Sequence, residues 1–305
     1  GCIKMKKKVA KFLAVTTIAL PLLLNSSTLG TRASNMEMEF LKKYNTDEII
    51  YLEDKPIEIP KYTQEQKEQF RGVWVSTVYN LDFPKEKGMT EEEYKEEYIK
   101  LLDNLERLNM NAVIFQVRPK LDAFYKSNIN PWSEYLTGAQ GLSPGWDPLD
   151  WMIEETHNRG MEFHAWFNPY RVTVSKEDTK TVEEQLLELA PNNWARQNPN
   201  YVYRYDGKLQ LKPWEMEVIN YINDSVMEVV EKYDIDAVHF DDYFYPFINI
   251  KEKWYGNEEE AAFRKYGSGF NNVEDWRRNN VDKLIESIHN SISAYNAKSN
   301  KSVQF

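Results

Sequence analysis

From residue 71 onward, short segments of strand character alternate with longer segments of helical periodicity, and this alternation constrains the fold more than any other feature of the chain. Residues 71–78 (RGVWVSTV) read as a first strand. Thr90-Glu91-Glu92-Glu93 is a capping box, with Thr at the N-cap and Glu three positions later. It opens a helix whose Tyr94, Tyr98, Leu101, Leu102, Leu105 and Leu108 recur at helical spacing. Residues 111–118 (NAVIFQVR) form a second strand. After a long loop, Asp147-Pro148 starts a second helix with Pro at its first position, Leu149, Met152 and Ile153 on its inner side, and a stop at Gly160. Residues 161–168 (MEFHAWFN) are a third strand. A loop with a small helix around 181–189 leads to a third helix over about 213–233, and residues 235–243 (IDAVHFDDY) are a fourth strand. Asn272 caps a last helix carrying Val273, Trp276, Val281, Leu284, Ile285, Ile288 and Ile292, and residues 301–305 read as a fifth strand cut off as it begins.

Strand and helix in alternation specify an α/β fold with a parallel sheet and right-handed crossovers. Four βα units and a strand stub are half of a (β/α)₈ TIM barrel, so the expectation for residues 70–305 is the N-terminal part of a truncated barrel. The alternative is a complete doubly wound domain. Against it, no Gly-rich phosphate loop comes after the first strand. Residues 34–69 are polar, punctuated by Pro56 and Pro60, and read as an N-terminal extension with a short helix or linker.

The N-terminus differs in character. Residues 1–33 hold Lys4, Lys6, Lys7, Lys8, Lys11 and Arg32 but no acidic residue. A basic stretch, an apolar run over 12–24 and a small-residue site at Thr31-Arg32-Ala33 predict a secretory signal peptide. The apolar run is short for a membrane span, which needs about 20 residues; an uncleaved anchor is the alternative. The expectation is a secreted or cell-wall-associated protein with no stable membrane span after cleavage. Cys2, the single cysteine, precedes the apolar run, which excludes a disulfide scaffold, a cysteine zinc cluster and a lipidated cysteine after the leader. Without residues 1–33 the chain has 32 basic against 48 acidic residues, a formal charge of −16. Such a body repels a phosphate backbone, so no nucleic-acid partner is expected.

Residues of a barrel strand alternate between the interior and the surrounding helices. In the second strand Val113, Phe115 and Val117 face helices, leaving Ile114, Gln116 and Arg118 toward the axis. The third strand turns His164, Trp166 and Asn168 inward, and the fourth Ala237, His239 and Asp241. Each strand then ends in an inward polar group, Ser76, Arg118, Asn168 or Asp241, at the face where barrel enzymes keep their active sites. Asp241 is the candidate catalytic carboxylate, held ionised at low pKa by Arg118; a structural ion pair or loop cap is the alternative. Arg118, Asn168, His164, His239, Asp242, Trp166 and Tyr243 are candidate substrate-binding residues. His164 and His239 serve equally well as satisfied interior histidines, and Asp242, of opposite parity, as a loop cap. The first strand lacks the paired His of a metal hydrolase barrel, so neither metal nor cofactor is expected. Aromatic residues crowd the loops after the strands, among them Tyr79, Phe83, Phe124, Tyr125, Trp132, Tyr135, Tyr170, Tyr203 and Tyr243. Such rings stack on sugars without displacing hydroxyl hydrogen bonds, though half of them are expected to pack the barrel rim.

Four blocks carry a family resemblance: Arg71-Gly72-Val73-Trp74-Val75, residues 111–119 (NAVIFQVRP), 164–171 (HAWFNPYR) and 239–246 (HFDDYFYP). In this order, from about residue 71 to the chain end, they resemble the glycosyl-hydrolase-like family 10, an exported bacterial TIM-barrel group. The resemblance implies a glycoside hydrolase acting on a polysaccharide, with bacterial cell-wall glycan as the substrate class. Ala237-Val238-His239-Phe240-Asp241 is also similar to the Gly-Phe-Arg-x-Asp run that carries the nucleophile of the α-amylase clan, with His239 in place of the clan's Arg. That likeness gives Asp241 the nucleophile's role and puts the general acid, a Glu, at the end of a fifth strand, beyond the residues of this sequence. A non-catalytic glycan-binding protein on a barrel scaffold is the rival function.

Overall fold

The computed structural model describes residues 37–61, 69–248 and 251–305, so the basic and apolar leader lies outside the described residues. The chain divides into two compact units, with the boundary after Glu68.

In the first unit the expected helix or linker is instead a set of short antiparallel strands. Met38–Phe40 pairs with Glu58–Pro60, and Tyr51–Leu52 with Lys55–Pro56. Glu53 and Asp54 both take positive φ, 47° and 64°, which matches the twist of a two-residue hairpin turn. Pro56 and Pro60 are tolerated because each lies in a two-stranded ribbon, where a missing N–H need not break a second ladder.

The second unit has the expected alternation. Strands β1 (Gly72–Val75), β2 (Ala112–Arg118), β3 (Glu162–Phe167) and β4 (Ala237–Phe240) form one parallel sheet in the order β4-β3-β2-β1. Helices α1 (Glu91–Arg107), α2 (Pro148–His157) and α3 (Met216–Lys232) are the crossovers, and α4 (Val273–Ser299) comes after β4. After α4 the chain returns to the sheet: Gln304 forms a parallel bridge with Ala237, and the Val238 N–H donates to the Gln304 carbonyl at 2.8 Å. The loop between β3 and α3 also folds a hairpin, Val202–Tyr205 with Lys208–Leu211. Its signal in the sequence is Asp206-Gly207 at the tip, flanked by alternating residues, which strand-and-helix periodicity alone does not bring out.

Local chemistry sets the helix starts. The Thr90 side chain accepts from the Glu93 N–H while the Glu93 carboxylate accepts from the Thr90 N–H, closing the capping box of α1. Pro148 occupies the first turn of α2, where its missing N–H costs nothing, and the Asn272 side chain accepts from the Asp275 N–H at the head of α4. The core lies between the sheet and these helices. Val75, Val113, Phe115, Phe163, Ala165, Phe167 and Val238 meet Tyr98 and Leu102 of α1, Met152 of α2, Ile222, Val226 and Val229 of α3, and Leu284 and Ile288 of α4. Large apolar side chains buried this way contribute about 1.5–3 kcal/mol each, so this side of the sheet is the one that sets stability.

The opposite side carries the polar and aromatic residues, and one of them ties β1 to β2. Gln116 is buried, and its Oε1 accepts from Ser76 Oγ (3.2 Å), the Thr77 N–H (3.0 Å) and the Val78 N–H (3.0 Å) as the chain leaves β1. Gln116→Leu keeps the volume but removes the acceptor from two backbone donors. It is expected to lower stability in urea by about 2–4 kcal/mol. A loss below about 1 kcal/mol would mean that water reaches those N–H groups.

Candidate active site

Asp241 stands one residue beyond β4, half-buried, with both carboxylate oxygens engaged. Oδ2 accepts from Trp166 Nε1 at 3.0 Å and Oδ1 from the Tyr243 N–H at 3.0 Å. The register explains the first bond: His239 pairs with Trp166, so the next residue of the same parity on β4 comes over the indole edge. The second bond is an Asx-type turn that reverses the chain after the strand. Burial lifts the Asp241 carboxyl above its usual value and Asp242 adds to this, while the Tyr243 N–H, Arg171 and Trp166 oppose it. The low pKa expected beside Arg118 is therefore corrected.

Arg118 is not on the interior side at all. Between β2 and β3 the register shifts: Gln116 pairs with Trp166 but Arg118 with Phe167. Val117 and Arg118 thus oppose a single residue, a β-bulge, and Arg118 adopts the outward parity of Phe167. Its guanidinium lies 5.3 Å from the Tyr221 ring of α3, Nη1 donates to the Asn168 carbonyl at 2.7 Å, and Nε reaches Asn130 Oδ1 at 3.5 Å. Asn130 is in turn held by the Tyr221 hydroxyl and by Ser225, both on α3. Arg118 is a fully buried strut between sheet and helix.

The cation beside Asp241 is Arg171, which strict alternation does not single out. Asn168 is buried, and its Oδ1 accepts from the Arg171 N–H at 3.0 Å, folding Asn168-Pro169-Tyr170-Arg171 into a turn that brings Arg171 back over the strand ends. Arg171 Nη1 donates to the Pro119 carbonyl at 3.2 Å, and its guanidinium covers the Tyr243 ring at 5.2 Å. Burial draws the Arg171 guanidinium below its usual value, and Asp241 counters that. The signal for it in the sequence is an Asn before Pro at a strand's end, a turn former that fixes the residue three positions on.

The other expected site residues divide. Trp166 and Tyr243 touch Asp241. His239 lies on the same side of the sheet, 5.8 Å from Trp74 and 6.2 Å from Trp166 between ring centres. Burial pushes its imidazole below the usual histidine value, with Asp241 opposing and His164 assisting, and Nε2 has no hydrogen-bond partner among the described residues. His164 is not brought to Asp241. It pairs with Ala237, four residues before Asp241, roughly 13 Å along the strand at about 3.3 Å per residue. There it hydrogen-bonds Glu162 at 2.8 Å and stacks on Phe70. Asp242 turns away, as its opposite parity requires, into a separate cleft lined by Tyr245, Glu274, Arg277 and Asp282.

A cleft of about 320 Å³ opens beside Arg171 and Tyr243. Tyr79, Tyr243 and Phe247 present exposed rings to it, and Lys208 and Gln210 of the hairpin complete its wall. Arg171 pairs directly with Gln210, and Lys208 shares Gln210's face of the strand by period-two alternation, so the three are set in one row. Tyr79 and Asn80 hold the left-handed backbone region at φ 57° and 53°, a strained turn secured by Asn80 Nδ2 donating to the Pro84 and Tyr135 carbonyls. Of the remaining loop aromatics, Phe83, Phe124, Tyr125, Tyr135, Tyr170 and Tyr203 are buried and pack the rim. Among the described residues no group of three His, Cys, Asp or Glu side chains is placed to hold a metal ion, and no helix is long and apolar enough to cross a membrane.

Parallel strands joined by helices, with an acidic residue at a strand's C-terminal end, define an α/β domain whose site lies at the strand ends. Comparison with known proteins places it more closely. Residues 69–303 match Glycosyl hydrolase-like 10, and the chain belongs to that family. It is 46% identical over 240 residues to glycosyl hydrolase YngK of Bacillus subtilis (strain 168), covering 78% of this chain and 45% of that protein. To glycosyl hydrolase DigH of Escherichia coli (strain K12) it is 37% identical over 243 residues, covering 77% and 54%. The chain spans about half the length of these curated relatives. Among solved structures, α-L-fucosidase isoenzyme 2 from Paenibacillus thiaminolyticus superposes with a TM-score of 0.47 at 16% identity, over 74% of this chain and 31% of that one.

The placement of Arg118 is open to test. Arg118→Met is expected to cost about 1–3 kcal/mol of stability through the carbonyl and amide partners left unmatched. In the folded variant, oligosaccharide affinity should be unchanged. Tenfold weaker binding at full stability would put Arg118 back in the site.

Proposed function

We propose that this chain carries the catalytic centre of an exported glycoside hydrolase acting on a polysaccharide, bacterial cell-wall glycan being the substrate. In this proposal the four βα units belong to a (β/α)₈ barrel, and residues 1–33 serve as the secretory signal. The observation that carries it is Asp241: a half-buried carboxylate at a strand's C-terminal end, oriented by two donors, beside a cleft walled by exposed aromatic rings. Family membership adds the reaction class.

Glycosidases mostly work with two carboxyl groups, one of which attacks the anomeric carbon or activates water against it. Asp241 takes that part. Trp166 and the Tyr243 N–H each occupy one oxygen, fixing the carboxylate plane next to Tyr243, which lines the cleft. Burial raises its proton affinity and its basicity with it, while Arg171 and the two donors keep the ionised form accessible. Tyr79, Tyr243 and Phe247 offer apolar faces for sugar rings, and Gln210 and Lys208 offer donors for hydroxyls or acidic substituents. His239, neutral by burial, faces the same side of the sheet as a further hydroxyl partner.

Asp241→Asn preserves shape and one of the two accepted hydrogen bonds, sets its amide NH2 against the other N–H donor, and removes the charge. Release of reducing ends from cell-wall glycan by a chain extended to the length of its relatives is expected to fall by about 10³-fold or more, about 4 kcal/mol of barrier. Near-normal turnover would take Asp241 out of the chemistry. A glycan-binding protein without catalysis would instead bind equally well with either residue and form no product at any protein concentration. With activity in hand, the anomer first released, read by proton NMR, tells a nucleophile (retention) from a base (inversion).

Tyr243→Ala removes the half-exposed ring but keeps the backbone N–H that Asp241 uses. It is expected to raise KM about tenfold and leave kcat within about threefold, the signature of lost ground-state stacking. A collapse of kcat at unchanged KM would assign the ring to the transition state.

A further inference from the structure

Arg171 is the residue of this site that neither its position in a strand nor the reaction class assigns. Three anchors fix it: its N–H on Asn168 Oδ1 at 3.0 Å, Nη1 on the Pro119 carbonyl at 3.2 Å, and its guanidinium over the Tyr243 ring at 5.2 Å. These tie together the exits of β2, β3 and β4. The same Tyr243 whose ring lies under Arg171 donates its N–H to Asp241 Oδ1 at 3.0 Å. Arg171 forms no ion pair with any carboxylate among the described residues, so its charge is not cancelled by a dedicated partner, and Asp241 is among the groups that act on it electrostatically. Even half-burying a guanidinium without a paired acid is costly, and such a cost is expected where the field serves a neighbouring group.

We propose that Arg171 is the positioning residue for Asp241: it clamps the Tyr243 turn that orients the carboxylate and supplies the positive field that keeps it ionised when the cleft is filled. This role rests on Asp241 being the catalytic carboxylate. A bound sugar strips water from the cleft, and desolvation penalises a carboxylate more than any other change there. Arg171, already partly desolvated and held by backbone carbonyl and ring, offsets that penalty without reorganising. The other groups facing Asp241 cannot replace it. Asp242 repels, Trp166 is a neutral donor, and the His239 imidazole is held neutral by its own burial.

The test reads Asp241 itself. The carboxyl carbon of Asp241 is followed by NMR against pH in protein labelled at aspartate, the signal being assigned by its absence from the Asp241→Asn variant. Arg171→Gln keeps an amide donor for the Pro119 carbonyl but removes the charge. Its Asp241 midpoint is expected to rise by about one pH unit, and Arg171→Lys to bring it most of the way back. The acid limb of kcat/KM should move to higher pH by the same interval, with kcat lowered and KM little changed. Tyr243→Leu, at an exposed ring and so harmless to folding, frees the guanidinium and should move the midpoint the same way by a smaller amount. An unchanged midpoint in both Arg171→Gln and Tyr243→Leu overturns the proposal, as does Arg171→Lys behaving like Arg171→Gln. Because the midpoint is read without substrate or turnover, it decides the part of Arg171 separately from the assay of Asp241→Asn. An active Asp241→Asn refutes the hydrolase role of Asp241, whereas an inactive one with a midpoint insensitive to Arg171 refutes only the clamp.

Discussion

A parallel sheet covered by helices on one side has only its other side free for chemistry, and period-two alternation decides which residue goes where. The distinctive features of this chain all derive from that partition. Val113, Phe115, Phe163, Phe167 and Val238 seal one side against α1 to α4, and Trp74, Gln116, Trp166, His239 and Asp241 are left on the other. Exposed Trp74, with an accessible fraction of 61%, measures how open that second side is among the described residues.

On the open side the polar groups are connected rather than scattered. Gln116 holds the exit of β1, Asn168 folds the exit of β3, and Trp166 with the Tyr243 N–H holds the carboxylate at the exit of β4. Farther out, the loop after β4 is secured to α4. Arg277 gives two bonds, 2.7 and 2.6 Å, to the buried Glu259 carboxylate and lies 4.5 Å over the Tyr255 ring, while the Tyr255 hydroxyl donates to the Pro246 carbonyl. A buried ion pair of this kind adds little net stability, but breaking one partner is costly. Its place next to the Asp241–Pro246 turn fits a role in holding that turn still.

The outward strut made by Arg118 and the inward clamp made by Arg171 are two answers to one problem. One guanidinium is buried and the other half-buried, both lack a paired carboxylate, and each is held by a backbone carbonyl and the face of a tyrosine, Tyr221 for Arg118 and Tyr243 for Arg171. Planar, delocalised charge suits that surrounding better than an ammonium does. Arg118 uses it to join sheet to helix, whereas Arg171 has its field directed at the site.

From residue 71 on, the order of the four sheet strands and their crossover helices, the capping box at Thr90, the start of α2 at Pro148 and the inward parity of Trp166, His239 and Asp241 are properties of local periodicity and capping chemistry, so the linear sequence determines them. It also contains the Asp206-Gly207 hairpin and the Asn168-Pro169 turn as readable signals. The direction of Arg118 is of another kind. A single extra residue between Gln116 and Arg118 reverses parity for the remainder of the strand, and the bulge arises from how β2 must match β3, a pairing between residues some fifty positions apart. The same holds for the meeting of Arg171 with Tyr243 and Asp241, which depends on three strand exits converging. Periodicity carries information along one strand at a time, and only the assembled sheet decides which charges become neighbours.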